Sequence, residues 1–110
     1  MKSPQPDGTR HRAGDGPVVL DIGGDIGALL VRTPPQLDGA EIEISKVGGI
    51  RDGKHVAVHP RLTGSGTVHA AVFGDLTRGR WQLWGPDGRR GQQVAVIAGD
   101  IVEIEWVSSR

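Results

Sequence analysis

From Pro17 onward the chain breaks into short apolar runs, none regular enough to form a helix. The runs are rich in Val, Ile, Leu and Thr and are punctuated by Gly, Asp and Pro, the pattern of strands joined by turns. They are Val18–Ile22, Gly27–Thr33, Ala40–Lys46, His55–Pro60, Thr67–Phe73, Trp81–Trp84, Gln93–Ala98 and Ile101–Val107. No window sustains an i, i+3, i+4 apolar stripe. The place for a helical turn is Pro34–Leu37, which its prolines keep short. The expected fold class is all-β: a single antiparallel β-sandwich of seven or eight strands over residues 17–107.

Alternation sorts the faces. Ile42 and Ile44 oppose Glu41, Glu43 and Ser45. Val56 and Val58 oppose His55, Ala57 and His59, while Val68, Ala70 and Val72 oppose His69, Ala71 and Phe73. Val102, Ile104 and Trp106 oppose Glu103 and Glu105. One buried and one wet face per strand is the antiparallel signature. For the last two runs, a loop of Ala98, Gly99 and Asp100 would pair Val96 with Val102 and Val94 with Ile104, matching apolar faces in a final hairpin.

With 110 residues the chain has material for one domain. Lys plus Arg and Asp plus Glu are 13 each, so the net charge is zero and polyelectrolyte attraction to nucleic acid is not expected. Cysteine is absent, which excludes disulfides, thiol nucleophiles and thiolate metal sites. No apolar run approaches the roughly 20 residues that span a bilayer. Residues 1–16 are polar, with no apolar stretch behind Lys2. They read as a disordered lead-in, with His11 in a solvated tail and no secretory signal. A cytoplasmic location is expected, with residues 108–110 as a short C-terminal tail.

Val72-Phe73-Gly74-Asp75-Leu76-Thr77-Arg78-Gly79-Arg80-Trp81-Gln82-Leu83-Trp84 resembles the F-x-x-L-x-x-G-x-aromatic turn of prealbumin-like sandwich modules, such as carboxypeptidase regulatory-like domains and collagen-adhesin B-type repeats. The resemblance implies a strand ending at Phe73, Leu76 plugging the sandwich end, Gly79 reversing the chain and Trp81 re-entering the core. It makes the expected sandwich prealbumin-like, with an immunoglobulin-like one as the alternative. Val19-Leu20-Asp21-Ile22-Gly23-Gly24-Asp25-Ile26-Gly27-Ala28-Leu29, with Gly39–Ser45, resembles small actinobacterial proteins, some designated phospholipases. That designation implies a small hydrolase, but no phospholipase catalytic residue can be placed on this chain.

Four groups of residues carry candidate chemistry. His55-x-x-x-His59 has zinc spacing only on a helix, since four strand residues span roughly 13 Å. If Val58 pairs with Val68, His69 lies diagonal to His55 and His59 at roughly 7–8 Å. That is half a site for a divalent metal, with a third ligand needed from Glu41, Glu43, Glu103 or Glu105. Asp21-Ile22-Gly23-Gly24-Asp25 reads as a tight turn, because two carboxylates are too few for the 6–8 oxygens around calcium. Gly64-Ser65-Gly66 lacks the spacing and the helix of a nucleophile elbow, and His69 on a sheet face does not obviously reach the tip. The fourth group is Trp84, which points outward if Trp81 points in. It stands beside the turn-rich loop that carries Arg89 and Arg90. An exposed Trp marks partner contact, and the loop's arginines suit a phosphate or an acidic partner.

The leading expectation is a binding or interaction module with no cofactor, acting through loops and one sheet face on a protein partner. Its surface is Trp84, Arg89 and Arg90. The small hydrolase is the runner-up, and a metal-binding protein using His55, His59 and His69 is the third reading.

Overall fold

A computed structural model describes residues 22–107. The expected tail with His11, most of the first expected strand, Asp21 and residues 108–110 lie outside them. The described chain forms β1 (Ile26–Thr33), a 3-10 turn (Pro35–Leu37), β2 (Glu41–Lys46), β3 (His55–Ala57), β4 (His59–Thr63), β5 (Gly66–Thr77), β6 (Gly79–Trp84), β7 (Arg90–Val96) and β8 (Ile101–Glu105). The strands make two four-stranded sheets, ordered β4-β5-β1-β8 and β3-β2-β6-β7. The fold is an all-β sandwich.

The core lies where the inward residues of the two sheets meet. Leu29, Val31, Ala71, Phe73 and Leu76 come from the first sheet, and Ile42, Ile44, Leu83, Val94 and Val96 from the second. Val102, Ile104, Trp81 and Trp106 pack against them at the margins. β1 carries the near-continuous apolar run Ala28–Val31 because it is a central strand, with β5 on one side and β8 on the other. As the turn resemblance implied, Leu76 is buried, Gly79 has φ +133° and Trp81 packs against the core. The strand does not end at Phe73, however. β5 runs on to Thr77 because β1 keeps pairing to Ile26↔Thr77, absorbing an irregularity between Gly27 and Leu29.

Two pairings differ from the sequence expectation. The run His55–Pro60 is cut at Val58, with β3 joining the second sheet and β4 the first. Val58 bridges the layers, its amide donating to Ala40 and its carbonyl accepting from Gly39. The final hairpin does not form. Ile97–Asp100 closes a turn (Asp100 N–H to Ile97 O, 3.1 Å), after which β8 crosses to the first sheet and pairs parallel to β1, Leu29 opposite Val102 and Val31 opposite Ile104. The physical reason is that alternation fixes which face of β8 is buried but not which neighbour it pairs with. Val102 and Ile104 reach the same core from either sheet.

Crossing the chain here leaves the sandwich edge between β7 and β8 without a ladder. Gln92 closes it with its side chain, Nε2 donating to Glu105 O and Oε1 accepting from the Val107 N–H. On the outer face of the first sheet, Arg32 reaches Glu103 at 3.3 Å and Glu105 at 2.9 Å. The four carboxylates of Glu41, Glu43, Glu103 and Glu105 therefore do not form one patch, because β2 and β8 belong to different sheets. Among the described residues no helix is long and apolar enough to cross a membrane.

Candidate functional site

The second sheet turns one face to the core and the other outward. Cross-strand register sets a row of side chains across all four strands of that outer face. Glu43 lies opposite His55 on one side and Trp84 on the other, and Trp84 lies opposite Arg90. The next row along the strands is Ser45, Gln82 and Gln93. Such rows follow from ladder geometry, which brings directly opposed side chains within contact distance.

Trp84 is the centre of the face. Its indole N–H donates to Ser45 Oγ at 2.9 Å. The Arg51 guanidinium lies 3.8 Å from the ring centroid and that of Arg90 lies 5.6 Å away, both within the range of cation–π attraction. Arg51 comes from the loop between β2 and β3. It is fixed there by two bonds to the Glu43 carboxylate, Nε to Oε2 at 2.8 Å and Nη2 to Oε1 at 3.0 Å. This fork-to-carboxylate geometry fixes the orientation of the guanidinium over the ring. Beneath Trp84, Ser45 and Gln82 are buried although they belong to the outer face. Gln82 satisfies its amide by donating to Leu83 O at 2.9 Å and Gly91 O at 2.8 Å, and accepts from Gln93 at 3.3 Å. The donors to Gly91 and Leu83 span the bulge between Gln82 and Trp84.

The Arg51 hydrogen bonds hold the Glu43 carboxyl below the usual glutamate range, against an opposing effect of burial and with help from the Arg51 charge. A depressed carboxyl contributes stability that is present above its unfolded-state pKa and lost as pH falls through its folded-state value. Arg51→Ala is therefore expected to return the Glu43 carboxyl resonance to an ordinary titration midpoint in NMR. The stability gap between wild type and variant should shrink as pH falls through the Glu43 titration. An unchanged midpoint would mean that the pair does not form in solution.

Two shallow concavities open on this face. One, of about 240 Å³, is lined by Trp84, Arg51, Arg90, Ser45, Gln93 and the Lys46–Gly49 turn, among others, and none of its lining residues is acidic. The other, of about 150 Å³, is lined by Glu41, Glu43, His55 and the Gly85–Gly88 loop. Lys46 spends its ammonium on Thr77 Oγ1 and Arg78 O, both at 2.8 Å, at the edge of Trp81. Among the described residues, Arg90 makes no ion pair.

Of the residues singled out from sequence, Trp84 and Arg90 stand together on this face and Arg89 does not join them. Its guanidinium turns to Asp87 (3.6 Å) and its amide to Asp87 Oδ1 (3.0 Å), inside a tight loop closed by Gly85 N–H to Arg89 O at 2.8 Å. Arg51 was visible only as one basic loop residue, since nothing in periodicity says that a loop folds back over a tryptophan.

The expected histidine half-site is not formed. His59 lies opposite Ala70 and His69 opposite Pro60, one ladder position apart and so on opposite faces. His55 is in the other sheet, opposite Glu43. The cause is the break at Val58, which removes Val58 from the ladder and shifts the register assumed for it. His55 instead bonds Gly53 O at 2.8 Å and approaches Glu41 at 3.5 Å, while His69 approaches Asp38 at 3.7 Å. Among the described residues no three His, Asp or Glu side chains gather as a metal site would require. The glycine-rich opening is a turn as expected, with paired Gly23–Ile26 backbone bonds, but Asp25 reaches Arg78 (3.4 Å). Ser65 sits at the β4–β5 tip against Thr63, whereas His69 has Asp38 as its partner. No family model, curated protein or solved structure matches this chain.

Proposed function

We propose that this chain is a binding module that engages a protein partner through the outer face of its second sheet. The observation that carries the reading is Trp84. It is a large aromatic ring on a wet sheet face, held from below by Ser45 and flanked by two guanidinium groups. Trp and Arg dominate the residues whose truncation weakens protein interfaces most. A rigid strand, a ring fixed by its N–H and an arginine fixed by a carboxylate lose little conformational freedom on binding. Arg89, Asp87 and the 85–89 loop form a rim beside this centre.

The test compares immobilised wild-type chain with Trp84→Ala, folded by circular dichroism, as baits in host lysate. The expected result is a species retained on wild type, lost on Trp84→Ala and kept on Arg89→Ala. Equal retention on wild type and Trp84→Ala would remove the face from the function.

A further inference from the structure

Neither β6 (Gly79–Trp84) nor β7 (Arg90–Val96) contains an acidic residue. With Trp81 and Leu83 packed on the core, alternation puts Arg80, Gln82 and Trp84 on the outer face. Register then sets Arg90 opposite Trp84. Arg80 and Arg90 thus stand at the two ends of one stripe along the strands, about 13 Å apart at ~3.3 Å per residue. Gln82 and Gln93 lie opposite each other between them. Among the described residues neither arginine has an ion-pair partner. The other cations beside the stripe are committed, Arg51 to the Glu43 carboxylate and Lys46 to Thr77 Oγ1 and Arg78 O. We infer that the part of the partner that meets this face is an acidic, extended segment lying along β6 and β7, with its carboxylates on Arg80 and Arg90. The inference rests on the binding reading above and names the chemistry of its partner.

The arrangement of the two free guanidinium groups selects this occupant. A guanidinium offers a fork that matches one carboxylate. An extended chain rises at the same ~3.3 Å per residue as the strands beneath it, so carboxylates four residues apart fall on both arginines. A phosphoryl group carries about −1.5 to −2 charge and is held by clustered arginines. Arg51 is the cation nearest Arg90 around the Trp84 ring, but its fork is filled by Glu43, whose carboxylate would repel a dianion. A nucleic acid gains no long-range pull from a chain of zero net charge. The concavity beside Arg90, about 240 Å³, is smaller than the roughly 300–1,000 Å³ of small-molecule sites, so it suits one side chain of a partner rather than a metabolite. Val47, on the turn that lines it, is 42% exposed and offers an apolar contact next to the carboxylate.

The test is an NMR titration of the full chain at low salt with a capped pentapeptide that carries glutamate at both ends. Its glutamine counterpart, phosphoserine and inorganic phosphate are the comparisons. The expected result is saturable shifts of the Trp84 indole N–H and of the Arg80 and Arg90 Nε–H signals. Dissociation should fall in the high micromolar to millimolar range and weaken with added salt. Arg80→Gln and Arg90→Gln should each weaken the glutamate peptide about three- to fivefold, the range of single exposed ion pairs, and about tenfold or more together. Arg89→Gln should leave it unchanged, since that guanidinium turns to Asp87 within its own loop. A glutamine peptide that binds as tightly overturns the inference, and so does a glutamate peptide indifferent to both arginine variants. Phosphoserine or phosphate held more tightly than the glutamate peptide would overturn it by making the stripe a phosphate site. The absence of any saturable shift at millimolar glutamate peptide overturns it as well. In each of these cases a species captured from lysate through Trp84 would leave the binding reading standing.

Discussion

Replacing Phe73 with alanine is expected to remove about 3–5 kcal/mol of stability, the range for emptying a buried aromatic position. Phe73 is the chain's single phenylalanine and is 1% exposed. It sits on β5 opposite Leu29 of β1 and faces the second sheet. Most of the other core side chains are β-branched or small (Val31, Ile42, Ile44, Val58, Ala71, Val94 and Val96), and side chains held on strands cannot move in to fill the space a ring leaves. Domains of this size have total stabilities of about 5–15 kcal/mol, so the loss is a large share. It should appear in thermal unfolding as a fall of more than about 12 °C. Phe73→Leu, which keeps most of the volume, should recover much of it. A Phe73→Ala chain within 1 kcal/mol of wild type, by urea unfolding at an unchanged m-value, would mean that this ring is not in the core.

Gly27→Ala is expected to cost about 3 kcal/mol, at the upper end for forced overpacking. The reason is close approach rather than backbone conformation. A Cβ at this position would lie 2.3 Å from the carbonyl oxygen of Ile97, 3.0 Å from Val96 Cγ1 and 3.1 Å from the carbonyl oxygen of Asp100. The nearest obstacle is backbone, so no side-chain rotation relieves it. The same approach carries the bonds that bring β8 onto β1, Gly99 N–H to Ile26 O and Ala28 N–H to Asp100 O, both 2.9 Å. Gly64→Ala is the matching control. Nothing lies within 4 Å of its Cβ, and a change within about 0.5 kcal/mol is expected. Equal effects at the two positions in urea unfolding would argue against the β7–β8 crossover.

These substitutions separate what the sequence could say from what it could not. Facing was legible on β2, β6 and β8, but not on β5, where the face that carries His69 also carries Ala71 and Phe73 and turns to the core. Ile42 and Ile44 point in while Glu41 and Glu43 point out, Trp81 and Leu83 point in while Trp84 points out, and Val102 and Ile104 point in. Each follows from a period of two. Partnership was not legible. β8 satisfies its apolar face beside β1 as well as it would beside β7, and the closeness of Gly27 to Ile97 that accompanies this choice has no local signature. The break at Val58 was hidden because Val58 is apolar and in phase on both sides of it, so one run read as one strand. That error alone drew the three histidines together on paper. The candidate site was half visible. Trp84 and Arg90 are readable from phase and proximity in sequence, but Arg51 belongs to it only through the Glu43 carboxylate, and Ser45 only because Trp84 covers it.

Trp84 held outside the core under an arginine is the arrangement on which both functional readings stand, and proton NMR of the full chain tests it most directly. The expected result is that the Arg51 δ protons are shifted upfield by the indole ring current, show NOEs to the Trp84 ring and lose both in Trp84→Leu. Arg51 at ordinary solvent shifts, with Trp84 ring NOEs to Phe73 or Leu29, would put this ring inside the sandwich and contradict it.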